Sequence, residues 1–508
     1  MPDSLGRFHR LHLFIRAPVL LRLPILAAFG AIAALGQAPW EMPGLTVLAL
    51  ALVFAIPVTS WKSMALNGWA FGLGYFGLAL HWITQPFLID LARHGWMAPF
   101  ALLLMAAGLA LFWGVAFGLA RWLTRSSGYG PIALVVCWTG AEVLRSLVLT
   151  GFPWALLGHI WIDTPLAQLA AFAGPHGLTL LTLAGAAILA QMRVWSLAAP
   201  ALLALGWWGL DPGPAPAPDA DAPVVRLIQP NIPQRDKWDP EKVPLHFQRL
   251  LDLTATEPAA DLVIWPETAI PWLLDQAQGV LESSAAAARG APLILGVQRR
   301  SESRYFNALV LLDQTGAVTA TYDKAHLVPF GEYMPMGELL GRFGIQGIAA
   351  SDGGGFSAGP GPALIEVPGV GAVLPLICYE GIFAEEVNAV AGRARLLVLI
   401  TNDAWFGTYA GPYQHFAQSR LRAIEQGLPL ARVANTGVSG LIDARGRVLG
   451  QIGLGRQGLL DLPLPAALPP TLYSRFGDAP VLVLLALLSA ALFGRRLRFA
   501  VDPAAKPD

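Results

Sequence analysis

Long apolar segments separated by short polar breaks dominate the first 210 residues of the chain. Each segment has about the length that an α-helix needs to cross the hydrocarbon core of a bilayer, roughly 20 residues. The pattern predicts a polytopic α-helical membrane bundle over residues 1–210 and a C-terminal transmembrane helix at 480–494. The predicted spans lie near 18–36, 44–60, 64–83, 97–120, 131–149, 165–190, 194–210 and 480–494.

The pattern changes after residue 210. Residues 211–223, with the sequence DPGPAPAPDADAP, form a proline-rich linker that cannot build a core. From 224 to 470, short aliphatic runs alternate with amphipathic helical patterns, which is typical of an α/β domain whose sheets are covered by helices. Strands are predicted near 224–230, 261–267, 292–297, 306–312, 317–324, 371–380, 394–403, 430–437 and 440–452, the last with a hairpin turn. Helices are predicted near 243–257, 274–289, 382–391 and 413–427.

The composition excludes several classes of protein. The chain is 55% hydrophobic and 13% charged, and its formal net charge at pH 7 is zero, so nothing indicates a nucleic-acid partner. Its two cysteines, Cys137 and Cys378, are too few for a disulfide framework or a multi-cysteine metal site. No zinc-protease, phosphate-loop or calcium-loop motif occurs in the sequence. We therefore expect neither a metal nor a cofactor.

The distribution of basic residues predicts the orientation in the membrane. With seven spans before the α/β domain and one after it, most arginines and lysines of the short loops fall on one side, and the opposite loops offer little beyond Arg93. By the positive-inside rule that side is the cytoplasm. We expect a multi-pass protein of the bacterial inner membrane with residues 224–470 in the periplasm and a cytoplasmic tail at 495–508. The basic residues are Arg7, Arg10, Arg16, Lys62, Arg121, Arg125, Arg193, Arg495, Arg496 and Arg498.

Three chemically different residues end predicted strands: Glu267, Lys324 and Cys378. Because the carboxyl ends of strands line the ligand crevice of such sheets, a carboxylate, an amine and a thiol are expected to converge. A cation or a helix N-terminus would lower the pKa of the thiol, and Glu267 could accept its proton. Lys324 and a backbone N–H near Cys378 could stabilise an oxyanion, so the residues predict acyl transfer through a thioester. The alternative is a buried core cysteine and a solvated glutamate.

Four segments carry a resemblance to a known family: WPETAIP around Glu267, YDKAHLVPFGEYMP around Lys324, LICYEGIF around Cys378, and TNDAWFG at 401–407. They resemble the nitrilase, or carbon-nitrogen hydrolase, superfamily, whose members use a Glu-Lys-Cys triad in an αββα sandwich. Together with the membrane segments, nearly the whole chain resembles the apolipoprotein N-acyltransferases.

The resemblance implies a role for each matching residue. Glu267 is expected to be the general base, Lys324 the oxyanion stabiliser and Cys378 the nucleophile. Glu332 would be a second catalytic glutamate that supports Lys324 or the acyl intermediate. The remaining candidates, which a purely structural role would also explain, are Tyr379 and Glu380 beside the nucleophile and Trp238 near the substrate.

The resemblance also implies a ping-pong reaction. The cysteine would take a fatty acyl chain from a phospholipid, with phosphatidylethanolamine the expected donor. The acyl group would then pass to the α-amino group of the diacylglyceryl-cysteine of an apolipoprotein, the last step of lipoprotein maturation. A monomer is expected. The first alternative is a membrane-tethered nitrilase-type amidase that acts on a small amide, and the second is a transporter with an accessory domain.

Two further features lead to weaker predictions. The loop at 331–360 mixes apolar residues with glycine and is expected to include a mobile lid that dips toward lipid, or else to be an ordinary hydrophobic loop. Its lipid-facing candidates are Met334, Leu339, Leu340, Phe343 and Ile345. Within the predicted spans, Glu142 and Arg145 are three residues apart on one helix and are expected to pair. His81, His159 and His176 lie near predicted span ends.

Overall fold

The computed structural model describes residues 19–57, 60–124, 129–191, 206, 208–335 and 355–501. The chain divides into two compact units, one formed by Pro212–Arg475 and the other by the residues that flank it on both sides. The flanking unit is helical, and the central unit contains every strand of the described residues.

Seven longer helices make up the described part of the flanking unit. They are α1 Val19–Ala34, α2 Pro43–Phe54, α3 Trp61–Ala79, α4 Ala98–Thr124, α5 Gly130–Leu147, α6 Ala170–Leu189 and α11 Ala479–Val501, with α7–α10 in the central unit. Over the described residues, four segments are long and apolar enough to cross a membrane: Leu91–Thr124, Gly130–Thr150, Pro165–Leu189 and Ala479–Leu497. Most of the span predicted at 194–210 lies outside the described residues. The predicted count of eight spans therefore stays a prediction.

Glycines allow α1 and α3 to approach closely. A Cβ atom on Gly30 would lie 1.9 Å from the carbonyl oxygen of Phe71, and one on Gly74 would lie 1.7 Å from that of Ala27. Any side chain at either position would force the helices apart. Small residues at such crossings are typical of helix pairs in membranes, where close van der Waals packing replaces the hydrophobic effect as the driving force.

A buried ion pair organises the end of α5. Arg145 donates from Nε to Glu142 Oε1 at 2.8 Å and from Nη2 to Glu142 Oε2 at 3.0 Å, and Trp113 Nε1 donates to the same carboxylate at 2.7 Å. The predicted pair is thus confirmed. The guanidinium also donates to three backbone carbonyls within 152–155, the irregular segment that follows α5. The arginine therefore satisfies backbone oxygens that no helix or strand accommodates.

Replacing one partner of this pair should destabilise the flanking unit strongly. Glu142→Leu leaves the Arg145 guanidinium buried without its counter-charge, and we expect the free energy of unfolding to fall by about 3 kcal/mol. The double variant Glu142→Leu/Arg145→Leu should recover part of that loss, because no buried charge remains. The measurement is the melting temperature of the full chain in detergent. Leu144→Ala, which truncates a 50% exposed side chain on the same helix, is the matched control. A single variant that melts like the wild type would contradict this account.

The central unit contains two six-stranded sheets, with the strand orders β12-β1-β2-β3-β4-β5 and β11-β10-β9-β8-β7-β6. The middle strands of each sheet, β1-β2-β3 and β7-β8-β9, run parallel, and the outer strands are antiparallel. The strands of the first sheet are β1 Val224–Gln229, β2 Leu262–Ile264, β3 Leu293–Ser301, β4 Arg304–Leu312, β5 Val318–Asp323 and β12 Gly458–Pro463. Those of the second are β6 Ile365–Val367, β7 Gly371–Ile377, β8 Leu396–Thr401, β9 Leu430–Ala434, β10 Ser439–Ile442 and β11 Val448–Ile452.

Alternating side chains bury both faces of each sheet. In β1, Val225 and Leu227 belong to the central core between the two sheets, whereas Ile228 belongs to the core under the helices. The helices α7 Val243–Thr254 and α8 Gln278–Ala287 cover the first sheet, and α9 Ala384–Asn388 and α10 Ala410–Gln426 cover the second. The layers follow the order αββα. The predicted sandwich fold is confirmed.

The strand predictions were incomplete at the sheet edges. The strands β6 and β12 were not predicted, since one has only three residues and the other contains a charged residue and ends in a proline. The segment 440–452, predicted as a strand with a hairpin turn, is the antiparallel pair β10 and β11. The predicted strand 261–267 ends early, so that Glu267 lies in the loop three residues beyond β2.

Candidate active site

Loops that follow strands of both sheets bring the three predicted residues together. Glu267 follows β2, Lys324 follows β5 directly, and Cys378 begins a short 3-10 turn, Cys378–Ile382, at the end of β7. The Lys324 ammonium lies 3.9 Å from Glu267 Oε1, and the charges of Glu267 and Lys324 both act on the Cys378 thiol. All three side chains are buried, with Lys324 only 1% exposed.

Lys324 is held by two carboxylates. Its Nζ donates to Glu332 Oε1 at 2.9 Å and lies 2.8 Å from Glu332 Oε2, in addition to its ion pair with Glu267. Burial alone would lower the pKa of Lys324, but the charges of Glu332 and Glu267 outweigh it and hold the pKa above its ordinary value. Lys324 therefore stays an ammonium over the physiological pH range. It can stabilise negative charge, but it does not give up its proton and so does not act as a general acid.

Asn307 was not predicted from the sequence and connects the two carboxylates. Its Nδ2 donates to Glu267 Oε1 at 2.7 Å and to Glu332 Oε1 at 3.1 Å. The backbone N–H of Asn402 donates to the other oxygen, Glu267 Oε2, at 2.8 Å. The Glu267 carboxylate is thus fixed from both sides. The signal in the sequence was an amide inside the apolar run FNALVLL, a residue that a buried strand accommodates only with partners.

The nucleophile candidate is buried and sits on a strained turn. Cys378 is 6% exposed and has a φ of 52°, a left-handed conformation that costs energy for any residue with a side chain. Burial raises the pKa of the thiol, and Glu267 adds to this rise, while Lys324 and the Thr401 hydroxyl oppose it. The net pKa is above the ordinary value. Lys324 lowers the pKa, as the sequence had suggested, but desolvation is the larger effect and decides the direction of the net shift.

The helix expected beside the nucleophile is shorter than predicted. The helix predicted at 382–391 is α9, which has only five residues and begins after the 3-10 turn. A helix this short has little macrodipole to lower the pKa of a thiol. The resting form of Cys378 is therefore the neutral thiol.

Glu380 ties the ends of two strands together. Its Oε1 accepts hydrogen bonds from the Tyr322 hydroxyl at 2.8 Å and the Ala325 N–H at 2.7 Å, and its Oε2 accepts from the Ile377 N–H at 2.7 Å. The first two donors lie within two residues of Lys324 in the sequence, and Ile377 directly precedes Cys378. Burial raises the pKa of Glu380 to about 7, although its donors oppose the rise. The residue positions the lysine relative to the cysteine.

The other two candidates differ in their surroundings. The Tyr379 ring is buried, with ring edges facing His326 at 5.3 Å and Phe383 at 4.9 Å between centroids. Trp238 lies in a turn and is 46% exposed, and within the described residues it makes no hydrogen bond to Glu267, Lys324 or Cys378. The structure thus brings Tyr379 and Glu380 next to the triad and leaves Trp238 at the surface.

Lys237, the neighbour of Trp238, was not predicted and contacts the site. Its Nζ donates to the backbone carbonyl of Glu267 at 3.3 Å, and the residue is 6% exposed. Burial lowers the pKa of Lys237 to about 8, although the Glu267 charge opposes the shift. The Lys237 cation thus lies beside Glu267 even though its burial costs desolvation energy.

A charged cluster lies behind the nucleophile. His415 Nε2 donates to the Cys378 carbonyl at 3.1 Å, and its Nδ1 lies 3.0 Å from Asp403 Oδ1. Arg432 Nη2 donates to Asp403 Oδ2 at 2.8 Å. Burial alone would raise the pKa of Asp403, but Arg432 and His415 reverse this and hold it at about 2. The cluster fixes the backbone at the strained turn.

Replacing Lys237 should stabilise the protein at neutral pH. Because its pKa falls from 10.5 to about 8 on folding, the native state binds fewer protons than the unfolded state between these values, and stability rises with pH there. Lys237→Met removes a burial cost of about 3 kcal/mol at pH 7, whereas above pH 10.5 the wild-type lysine is neutral in both states and the advantage disappears. The measurement is the melting temperature of both proteins at pH 7 and at about pH 11.

The control for this comparison is Lys242→Met, which removes a half-exposed lysine paired with Asp236 and Asp239. It should bring no gain in stability. A Lys237→Met variant that melts below the wild type at pH 7 would mean that the ammonium is stabilising, through its contact with the Glu267 carbonyl.

Comparison with known proteins defines first the class and then the family. The carbon-nitrogen hydrolase family model matches residues 224–467, and the model of the apolipoprotein N-acyltransferase N-terminal domain matches residues 29–188. Among solved structures, a CN-hydrolase superfamily protein from Xanthomonas campestris is 22% identical, with a TM-score of 0.36 over 55% of this chain and 97% of that one. An amidase from a Nesterenkonia species is 20% identical, with a TM-score of 0.38 over 53% and 98%. The central unit is a carbon-nitrogen hydrolase domain.

Curated relatives match over nearly the whole length. Apolipoprotein N-acyltransferases from Rhodopseudomonas palustris and Caulobacter vibrioides are each 38% identical, over 92% of this chain and 94% and 93% of theirs. The enzyme from Brucella suis is 37% identical over 92% and 95%. The chain belongs to the apolipoprotein N-acyltransferase family, as predicted, and is a membrane acyltransferase.

Proposed function

We propose that the chain moves a fatty acyl group from a phospholipid, through a thioester on Cys378, to the α-amino group of the diacylglyceryl-cysteine of an apolipoprotein. Membership of the family supports the substrates, with phosphatidylethanolamine as the donor. The observation that carries the mechanism is the convergence of Glu267, Lys324 and Cys378 in one buried site. The reaction uses no metal or cofactor, and the enzyme acts as a monomer.

The first half-reaction acylates the cysteine. Glu267 takes the thiol proton as Cys378 Sγ attacks the ester carbonyl of the phospholipid, and the Lys324 ammonium stabilises the oxyanion. The tetrahedral intermediate collapses by breaking the ester C–O bond. The glycerol oxygen of the lysophospholipid then receives the proton from Glu267. The products are the thioester and the lysophospholipid.

The charges of the site favour proton transfer over a preformed thiolate. The Lys324 ammonium faces the carboxylates of Glu267 and Glu332, and the Lys237 cation also lies beside Glu267. A thiolate at Cys378 would be a buried anion beside Glu267, and the raised pKa of the thiol expresses first the cost of burial and then the repulsion by Glu267. Moving the proton from Cys378 to Glu267 leaves the total charge unchanged. This supports Glu267 as the base and Glu332 as the residue that keeps Lys324 charged.

The second half-reaction reverses these roles. The α-amino nitrogen of the apolipoprotein attacks the thioester carbonyl, Glu267 takes a proton from that nitrogen, and Lys324 again stabilises the oxyanion. The C–S bond breaks and the sulfur is protonated by Glu267. The site returns to its resting thiol. Water in place of the amine would give a hydrolase, which is the amidase alternative.

The location in the cell is part of the proposal. We place the protein in the bacterial inner membrane with the central unit in the periplasm, because the basic residues of the chain fall on one side of the predicted spans. Of these, Lys62, Arg121, Arg495 and Arg496 lie in the described residues, as does the backbone of Arg498. The others, Arg7, Arg10, Arg16, Arg125 and Arg193, lie outside them.

The proposed lid lies mostly outside the described residues. Leu339, Leu340, Phe343 and Ile345 fall in 336–354, and of the five candidates only Met334 is described, with a partly buried side chain. The lipid-facing lid therefore stays a prediction.

Intact mass of the full chain in detergent with phosphatidylethanolamine tests the proposed function. We expect the mass of one fatty acyl group to be added, to be removed by hydroxylamine, and to be transferred to a diacylglyceryl-cysteine peptide. Cys378→Ser should gain no thioester. Cys137→Ser, which removes the other cysteine of the chain, is the matched control and should be acylated like the wild type.

The other outcomes decide between the alternatives. An adduct that is lost in buffer at the same rate with and without the peptide would indicate a hydrolase. A folded wild-type protein that never gains an acyl group would refute the acyl-enzyme mechanism and return Cys378 to the role of a core residue.

Trp238 provides a separate test of substrate contact. Because its side chain is 46% exposed and is not part of the buried network, Trp238→Ala should leave the melting temperature unchanged. If the ring contacts substrate, kcat/KM for the phospholipid should fall at least about tenfold, the loss expected for one aromatic contact. Leu245→Ala, at a position that is 61% exposed on α7, is the control and should change neither quantity. Wild-type kcat/KM in Trp238→Ala would remove this residue from the site.

A further inference from the structure

The register of the second sheet places Thr401 beside the nucleophile. The strands β7 and β8 are parallel, and Ile377 pairs with Ile400, so the next residues along the two strands, Cys378 and Thr401, are neighbours. Thr401 is completely buried, and its hydroxyl forms a side-chain hydrogen bond with the cysteine. Thr401 is not a member of the Glu267–Lys324–Cys378 triad.

The single proton of this hydroxyl already has a partner. Thr401 Oγ1 donates to Asp403 Oδ1 at 3.0 Å. A hydroxyl donates one hydrogen bond and accepts others, so in this arrangement Thr401 can only accept from the thiol S–H. Once Glu267 has removed the thiol proton, the sulfur is an anion that needs donors. The resting orientation of Thr401 would then present a lone pair to it.

Asp403 keeps the Arg432 hydrogen bond to its Oδ2 when it releases this donor, and only Oδ1 loses a hydrogen bond. Its Oδ2 accepts from Arg432 Nη2 at 2.8 Å, and its Oδ1 lies 3.0 Å from His415 Nδ1. These partners hold the pKa of Asp403 at about 2, so the carboxylate stays ionised without the threonine. Rotation of the hydroxyl about its C–O bond moves only the hydrogen atom, and it exchanges the hydrogen bond to Asp403 Oδ1 for one to the sulfur.

We propose that Thr401 is a further catalytic residue, whose hydroxyl donates to Asp403 while Cys378 is a thiol and turns to donate to the sulfur when the thiol proton moves to Glu267. The inference rests on the proposed function for the reason to form a thiolate. The only covalent bond broken is the S–H bond of Cys378, and the only one formed is the O–H bond of the Glu267 carboxyl group that receives the proton; the threonine keeps its own proton. The same turn would stabilise the thiolate that leaves in the second half-reaction.

Two substitutions, one that removes the hydroxyl and one that removes the methyl group, separate this role from packing. Thr401→Val has the shape of threonine without the hydroxyl, and Thr401→Ser keeps the hydroxyl without the methyl group. A hydrogen-bond donor to a charged sulfur predicts that Val is impaired and that Ser restores the wild-type behaviour. A residue that only fills space predicts the reverse order, because Ser leaves a cavity and Val does not.

The experiment uses the full chain carrying Cys137→Ser, so that Cys378 is the single thiol. The rate of alkylation by iodoacetamide is measured against pH, together with the single-turnover rate of acylation by phosphatidylethanolamine. We expect Thr401→Val to lower both rates about tenfold at each pH below the thiol pKa, with the alkylation profile displaced upward by about one pH unit. Thr401→Ser should follow the wild-type profile. The melting temperature of each variant checks that it is folded, and Thr401→Ala replaces Val if Val does not fold.

The outcomes separate this inference from the function on which it rests. Wild-type alkylation and acylation in Thr401→Val or Thr401→Ala would overturn the role of the hydroxyl, whatever the enzyme does with lipid. A displaced alkylation profile on a chain that no phospholipid acylates would support Thr401 as the donor to the sulfur and refute the proposed substrate instead.

Discussion

The buried ammonium of Lys324 is the constraint on which the site depends. A cation that is 1% exposed costs several kcal/mol in desolvation unless charged partners surround it. Glu332 and Glu267 supply those partners, and Asn307 holds both carboxylates in place. Desolvation, with the Glu267 charge adding to it, keeps Cys378 protonated. In the proposed mechanism Glu267 is the group that receives this proton.

Both sheets of the sandwich contribute residues to this cluster. Glu267 and Lys324 come from the first sheet and Cys378 from the second, so the site forms only when both sheets pack through their common core. Glu380 links them, because its carboxylate accepts hydrogen bonds from the end of β5 and from the end of β7. Cys378 itself belongs to the central core cluster. The two interpretations of this cysteine, as a core residue and as a nucleophile, are therefore compatible, because a side chain packed in the core also lies in the site.

The sequence pattern predicted an α/β domain with helix-covered sheets and the residues that converge, and the resemblance to the nitrilase superfamily supplied the αββα order; all of these rest on local signals. Alternating apolar runs define strands, and Glu267, Lys324 and Cys378 each follow such a run within a recognisable motif. Asn307, Lys237 and Thr401 could not be assigned in this way, since their importance arises from partners on other strands and loops. The edge strand β6 is too short to stand out, and in β12 a charged residue and a terminal proline obscure the pattern. The direction in which the pKa of Cys378 shifts depends on the balance between burial and nearby charges, and this balance follows from the three-dimensional structure rather than from the sequence.

The neutral resting thiol also has a chemical consequence. Thiolates, rather than thiols, react with oxidants and with stray electrophiles, so a cysteine whose pKa is raised by burial is protected while no substrate is bound. In the proposed mechanism the charge of the cluster does not change when the proton moves to Glu267, so nucleophilicity would develop together with the bond to the acyl carbonyl. A site with a permanent thiolate would gain reactivity and lose this selectivity. Under that mechanism, burial and the Glu267 charge restrict the reactivity of Cys378 to an ester or thioester that is already in place.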